Sequence, residues 1–586
     1  MAQIETTARM ESTRTPMWSK LTRPQIFFPV LAIALLSFFV LLPLVVMVLA
    51  SLRPIGTSVF EAGPFTLDGY SRAYDNLDMI KVLKNTLIFS TGAVGFGLPL
   101  AFMFAYFTER TDMPLRNAMY SLMFIPMSIP VFATALGWVL LLGPRAGTLN
   151  QYLRILFGLD TNQGPFNIFS MEGLIFVQAL GLVPSMWLFL VSVLRNMDPS
   201  LEEAGGVSGA SKFTVLRKVT LPLMRPGIGA VLIFFFIVSV ESLELALAIG
   251  PTAGIQVLST TIFYAINPEA TGGIDYAIPA AFGMIGLGMG IIGIAFYMYL
   301  IRQSSKYAVV TGKGFRPKIV RLGKWRWVAI GLIFLYMTIK VVIPMTILVL
   351  TSFLKFYMPP VPQVWDSMMW TLANYEDLLS YRFFGRYFLN TIYVALGAAT
   401  LTMILVSFFS WVVVRFPGKL TKMVNVLAFM PLAIPGVISS LAFFLMFIGT
   451  PFYGILPILV AAFVARYIAF GTRVMHSAQL QIHKELGEAA MVSGVGSLRT
   501  FWYIDLRLLI PAFMNGWLWV LTHAAKDFSV GLILASASSM MVGNVIFGLF
   551  SGGDFPSSAA MMTVLVAFNL SIVLAGRRWI TKAVRG

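Results

Sequence analysis

Five ionisable residues fall inside stretches that are otherwise too apolar to hold a charge. Glu241 and Glu244 stand three apart in the run Gly227 to Gly250, while His523, Lys526 and Asp527 gather in the run Ala512 to Ala535. Three-residue spacing puts two helical side chains on one face, so the first pair presents two carboxylates together. Paired carboxylates suit hard cations such as ferric iron, and they also pair with the ammonium groups of polyamines. The second group offers an acid, a base and an imidazole. Two readings fit these residues: a path for a cation, or an internal salt bridge between Lys526 and Glu241 or Glu244. Arg466 and Lys340 are further charges in apolar runs, able either to snorkel or to line a central path. No resident metal is assigned: His476, His483 and His523 are scattered without ligand spacing, and the chain has no cysteine, which excludes thiolate metal sites, disulfides and cysteine nucleophiles.

The elements that must carry these residues are membrane spans. Of 586 residues only 11% are charged and 58% are hydrophobic, with a mean hydropathy of +0.83. A soluble protein carries about 25% charged residues, so a soluble enzyme and a disordered scaffold are both excluded. The net charge of +17 lies in short segments between apolar runs, which reads as membrane topology rather than nucleic-acid binding. Runs long enough to cross about 30 Å of hydrocarbon occur at Ile26 to Ala50, Val82 to Phe107, Leu115 to Leu142, Gly173 to Leu194, Gly227 to Gly250 and Ile278 to Ile301. A second set covers Trp327 to Leu354, Tyr387 to Val414, Met423 to Ile448, Ile455 to Thr472, Ala512 to Ala535 and Ala559 to Ala575. The first of these is read as a retained helix, not a signal peptide. This predicts an all-α membrane protein of about twelve transmembrane helices. Alternate loops are rich in Lys and Arg, among them Arg9, Arg14, Lys20 and Arg23, then Arg195, Lys212, Arg217, Lys218 and Arg225, and Arg577, Arg578, Lys582 and Arg585. Both termini are therefore expected in the cytoplasm, with membrane lipid as the surroundings.

The chain repeats itself. Leu67 and Tyr70 match Leu372 and Tyr375, Asn85-Thr86 matches Asn390-Thr391, and Ile125-Pro126-Met127-Ser128-Ile129-Pro130 matches Met430-Pro431-Leu432-Ala433-Ile434-Pro435, all at an offset of 305. Further along the offset is 285, because the first half has about twenty extra residues around Gly143 to Glu172. Six spans per half give parallel repeats related by an axis along the membrane normal. The expected organisation is a tail at 1–25, a first repeat at 26–301, a basic linker at 302–326 and a second repeat at 327–586. The prolines four apart are expected on one helix face, each freeing a carbonyl one turn earlier. At offset 285 Glu241 corresponds to Lys526.

Between the fourth and fifth spans of each half lies a shared pattern. Glu203-Ala204-Gly205 precedes Gly209, and Val219, Leu221 and Pro222 follow. Glu488-Ala489-Ala490 precedes Gly494, and Ile504 and Leu506 follow. Small residues beside a Glu let a partner surface approach, and Gly permits a chain reversal that most side chains forbid, so this is a docking element rather than a catalytic one. The pattern resembles the E-A-A, three residues, G, nine residues, I-x-L-P signature of permease subunits of binding-protein-dependent ABC importers, and it appears twice. Gly205 departs from the usual Ala, and Arg507 stands where Pro is expected, with Pro511 matching Pro226 instead.

The resemblance implies two repeats of the MetI-like permease type in an inner membrane. It also implies two coupling helices, with Glu203, Ala204 and Gly209 in the first and Glu488, Ala489, Ala490 and Gly494 in the second. Its partners would be a pair of identical ATPase subunits and a periplasmic substrate-binding protein, with no nucleic acid. No G-x-x-x-x-G-K run ending in Ser or Thr occurs, so the chain carries no cofactor of its own and ATP with Mg belongs to the partner subunits. It is expected to be a transport subunit and not an enzyme. Fused permeases of this kind resemble the ferric iron group, with polyamine, thiamine and phosphonate transporters as relatives. The competing class is a twelve-helix secondary transporter, but Thr108 to Arg116 lacks the G-x-x-x-D-R/K-x-G-R-R pattern of the major facilitators.

Overall fold

The computed structural model describes residues 24–585 except 55–56, 58, 62, 77, 160–161, 196, 198–199, 267–274, 305–318, 363–364, 366–367 and 381–383. Inside helices it gives no side chain at 76, 301–304, 380, 484, 487–488, 491 and 577–585. The N-terminal tail and most of the basic linker, including Lys306, Lys313, Arg316 and Lys318, thus lie outside the described residues. Among the described residues the only β pairing is two isolated bridges. The first half includes α1 Pro24–Ser51, α2 Met79–Arg110, α3 Arg116–Ser128, α4 Val131–Leu142, α5 Met171–Arg195, α6 Ser200–Val207, α7 Lys212–Val240, α8 Glu244–Ile249 and α9 Ala277–Ser304. The second half follows with α10 Trp325–Ser352, α11 Phe384–Arg415, α12 Lys419–Ala433, α13 Gly436–Phe447, α14 Leu456–Gln479, α15 Lys484–Val492, α16 Ser497–Leu508, α17 Ile510–Lys526, α18 Ser529–Leu534 and α19 Phe555–Arg585. Among the described residues nine helices are long and apolar enough to span on their own, and three bent pairs bring the total to twelve if each pair is one span.

Four of the expected continuous spans are broken. The third and ninth split into α3/α4, bent by 85°, and α12/α13, bent by 106°. The prolines four apart therefore do not share a helix face. A residue before proline is pushed out of the helical region, and Ile129 (φ −83°, ψ 131°) and Ile434 (φ −105°, ψ 110°) are extended, which makes Pro130 and Pro435 the caps of new helices. The fifth and eleventh runs, read as unbroken from Gly227 to Gly250 and Ala512 to Ala535, stop instead at Val240 and Lys526 and resume as α8 and α18. Those breaks fall on the ionisable residues. Hydropathy missed them because the residues on either side remain apolar.

Repeat markers in the sequence turn out to be polar ties. Tyr70 donates to Ser51 Oγ at 3.0 Å, and Tyr375 pairs with Ser352 at 2.6 Å. Asn85 and Asn390 donate to the carbonyls of Gln256 and Met540, while Thr86 and Thr391 accept the N–H groups of Leu258 and Val542. The first spans correspond at offset 301 rather than 305: π-helical stretches at Ser37–Leu41 and Thr338–Val342 stand before Pro43 and Pro344 alike.

The halves exchange their first spans. Phe28 of α1 packs on Trp411 of α11, with ring centroids 5.1 Å apart, and Tyr336 of α10 packs on Phe104 of α2 at 5.4 Å while donating to the carbonyl of Leu180. Each first span thus packs against the opposite half as well as its own. Gly137 of α4 lies so close to α10 that a Cβ there would stand 2.6 Å from the Pro344 carbonyl oxygen. Gly137→Leu should therefore destabilise the detergent-solubilised protein by about 1–3 kcal/mol, the usual penalty of overpacking, seen as a lower unfolding temperature. Gly95→Ala, where nothing lies within 4 Å of the added carbon, should leave that temperature unchanged.

Candidate functional site

The four breaks meet. A helix interrupted in lipid leaves N–H and C=O groups that protein must satisfy, and here the ionisable residues of one break satisfy the backbone of another. Glu241, just past the end of α7, accepts the N–H of Gly436 at the start of α13. Its repeat counterpart Lys526, at the end of α17, donates to the carbonyl of Met127 at the end of α3. Each half thus plugs its fifth-span break into the bent pair of the other. The signs follow the helix dipoles, an acid at a helix start and a base at a helix end. Glu244 accepts the N–H of Phe528 at 2.8 Å, and Asp527 caps α18 by accepting from Val530. Asn569 of α19 donates to the carbonyl of Ser128 at 3.0 Å, completing the α3 terminus.

The ion pairs are made by Arg466 of α14, not by Lys526. Its Nη2 lies 3.2 Å from Asp527 Oδ2 and 3.8 Å from Glu241 Oε1, so one guanidinium joins a carboxylate from each half. The three side chains are 19%, 11% and 22% exposed respectively. Lys340 of α10 reaches into the first half and donates to Thr134 at 3.2 Å. His523 stands apart from the ion pairs: Nδ1 is bonded to the carbonyl of Trp519 and its ring stacks on Trp519, which itself stacks on Phe470. Among the described residues no three His, Asp or Glu side chains are placed to hold a metal ion. Sequence reading set Arg466 below the acids. Its signal was there: a charge mid-run whose counterpart at offset 285 is Gly181.

The second candidate site is the pair of hairpins between the fourth and fifth spans. Glu203 and Ala204 lie on α6, Glu488, Ala489 and Ala490 on α15, and the side chain of Glu488 lies outside the described residues. Gly209 and Gly494 have φ of +81° and +79°, a region open to glycine and costly for other residues. The turns are alike in detail, for Ser208 and Ser493 donate to the carbonyls of Ala204 and Ala489. Sequence reading missed an apolar set repeated at offset 285: Leu201, Val207 and Phe213 match Leu486, Val492 and Leu498, and all six are exposed. Val207 at 85% and Val492 at 89% have almost no cover from their own chain. Exposed apolar residues kept in register beside small residues have the character of a docking surface.

Each hairpin is tied to its half through the arginine that ends the second span. Arg110, only 3% exposed, pairs with Glu202 of α6 at 3.1 Å, and Thr220 donates to the same carboxylate at 2.7 Å. In the second half Arg415 pairs with Asp505 at 3.0 Å. Position 505 corresponds to Thr220 and position 487, a glycine, to Glu202, so the acid has moved between the two elements of the hairpin. Arg110→Met would leave a half-buried carboxylate without its counter-charge, a loss of about 3–5 kcal/mol for such pairs. Limited proteolysis of the purified variant should cut within residues 200–211 much faster than in the parent, and adding Glu202→Gln should slow that cleavage again.

Residues 97–306 and 403–586 match the family described as "Binding-protein-dependent transport system inner membrane component". Among similar chains, the ferric transport system permease protein FbpB of Actinobacillus pleuropneumoniae is 25% identical over 565 residues, covering 92% of this chain and 76% of that protein. The putative ferric transport system permease protein FbpB 1 of Haemophilus influenzae is 25% identical over 524 residues, covering 86% and 77%. The sn-glycerol-3-phosphate transport system permease protein UgpA of Shigella flexneri is 26% identical over 250 residues, covering 42% of this chain and 81% of that protein. A crystal structure of a bacterial alginate transporter in complex with an alginate-bound periplasmic protein aligns one chain over 50% of this chain and 100% of its own, at 20% identity and a TM-score of 0.40.

Proposed function

The chain belongs to the inner membrane components of binding-protein-dependent transport systems, and from that we propose that it forms the translocation path of an ABC importer for ferric iron, driven by separate ATPase subunits. The observation that carries the docking part is the duplicated hairpin, with its left-handed glycine and its bare apolar residues at a constant offset. Two identical grooves on two copies of one ATPase would receive two such hairpins, and ATP with Mg would be held there. A periplasmic binding protein would deliver the cargo on the opposite face. The basic residues of the hairpins, with Arg321, Lys324 and Arg326, support a cytoplasmic position for that side and for both termini, and the linker at 302–326 would divide the two repeats.

Ferric iron rests on likeness to two ferric permeases along most of the chain and on carboxylates from both halves meeting where the spans break. Polyamine, thiamine and phosphonate importers share the architecture, and the match to a glycerol-3-phosphate permease covers only 42% of this chain. Transport would be a rocking of the two halves about their shared interface, biased by closure of the ATPase pair.

Two measurements test this. Glu203→Lys with Glu488→Lys should remove the ATPase from the purified complex and bring uptake to background while the permease stays in the membrane; an intact complex would overturn the docking assignment. Cells lacking their own copy and supplied with this chain and its partners should accumulate labelled ferric iron, and not labelled spermidine or thiamine. Uptake of either of the latter alone would overturn iron as the cargo.

A further inference from the structure

Among the described residues Arg466 is the one side chain whose ion pairs join carboxylates of the two halves, and the repeat supplies no second copy of it. Glu241 and Asp527 take Nη2, while Nη1 makes no hydrogen bond. Its counterpart is Gly181, where an added Cβ would have only the Lys340 ammonium nearby, at 3.8 Å. Gly436 leaves room for the guanidinium, since a Cβ there would stand 2.5 Å from Arg466 Cζ. Glu244 adds a third carboxylate. It is 7% exposed and close enough to feel the charges of Asp527 and Arg466, its Oε1 accepts from the Phe528 amide, and its Oε2 makes no hydrogen bond. A cation held by acids of both halves, an acid oxygen left over beside it, and a glycine that makes space for it together describe a cation site already filled by the protein.

We propose that Arg466 is a tethered counter-cation that keeps the path closed by joining the halves, and that cargo passes only by displacing it from Glu241 and Asp527. This rests on the reading that the cargo is a cation. Attraction to a carboxylate grows with ionic charge, so a monovalent ion gains nothing by exchanging with a guanidinium, whereas a trivalent ion does. Hard multivalent cations also prefer carboxylate oxygen. The device selects by charge, and it accounts for the carboxylates not converging as a metal-binding group while the guanidinium separates them. It also makes an empty open state costly, because parting the halves without cargo strands unpaired charges away from water.

The test uses terbium(III), a trivalent, oxygen-seeking ion whose luminescence is excited through neighbouring aromatic rings, on the purified full-length chain. Arg466→Met should bind terbium about ten-fold or more tightly than the parent, since a competing unit charge at contact distance has gone; Arg466→Lys should bind as the parent does. Glu241→Gln with Asp527→Asn, added to Arg466→Met, should remove the gained binding and also restores neutrality should the single variant fold poorly. Potassium at equal ionic strength should not compete. If Arg466→Met binds no tighter than the parent while its circular dichroism is unchanged, the counter-cation role is overturned, whatever the uptake assay reports. If binding tightens as expected but the parent imports no ferric iron in cells, the role of Arg466 stands and the assignment of the cargo falls.

Discussion

A backbone polar group freed in the middle of a membrane has no water to turn to, and this chain frees several at once by breaking four of its spans. The rest of the arrangement follows from how they are met. The bent pair of each half is completed by a side chain of the other, and the second half's fifth-span break by Glu244 of the first, while the Ser242 carbonyl at the first half's break accepts from Ser259 of its own half. The two repeats therefore cannot be separate bodies. The exchange of first spans, seen in the packing of Phe28 on Trp411 and Tyr336 on Phe104, ties them at the periphery as the breaks do at the centre.

Duplication supplied the geometry, and divergence supplied the chemistry. Glu241 and Lys526 occupy equivalent positions and reach equivalent places, yet one accepts from an N–H at a helix start and the other donates to a C=O at a helix end. Opposite charges suit opposite ends of the helix dipole, so both substitutions are compatible with one backbone plan. The same freedom appears at the hairpins, where the acid that neutralises the second-span arginine sits on α6 in one half and on the arm leading into α17 in the other. The turn itself has not diverged, because the positive φ at Gly209 and Gly494 leaves little choice of residue.

The linker is joined to this machinery where it is described. Val320 pairs with Thr111, Leu322 donates to Asp112, and Lys212 donates to the carbonyl of Arg321. The connection between the repeats therefore lies against the base of the first hairpin, next to Arg110 and its ion pair with Glu202. The first hairpin is thus bonded both to its own half through Arg110 and to the entry of the second half through Lys212 and the linker.

The sequence by itself determined the number and approximate placement of the spans, the duplication and the two hairpins. Those properties are encoded locally: a run of apolar residues, a fixed offset, or a glycine at a turn carries its meaning without neighbours. It also marked Glu241, Glu244, Lys526 and Asp527 as residues too costly to be incidental. Only the tertiary structure decided what they touch. The break after Val240 has no proline or glycine to announce it, and the partner of Glu241 is a backbone amide 195 residues away. Arg466 outranks Lys526 as counter-ion because α14 brings its guanidinium between the halves while Lys526 is spent on a carbonyl, a choice set by packing between the two halves that no one-dimensional pattern contains.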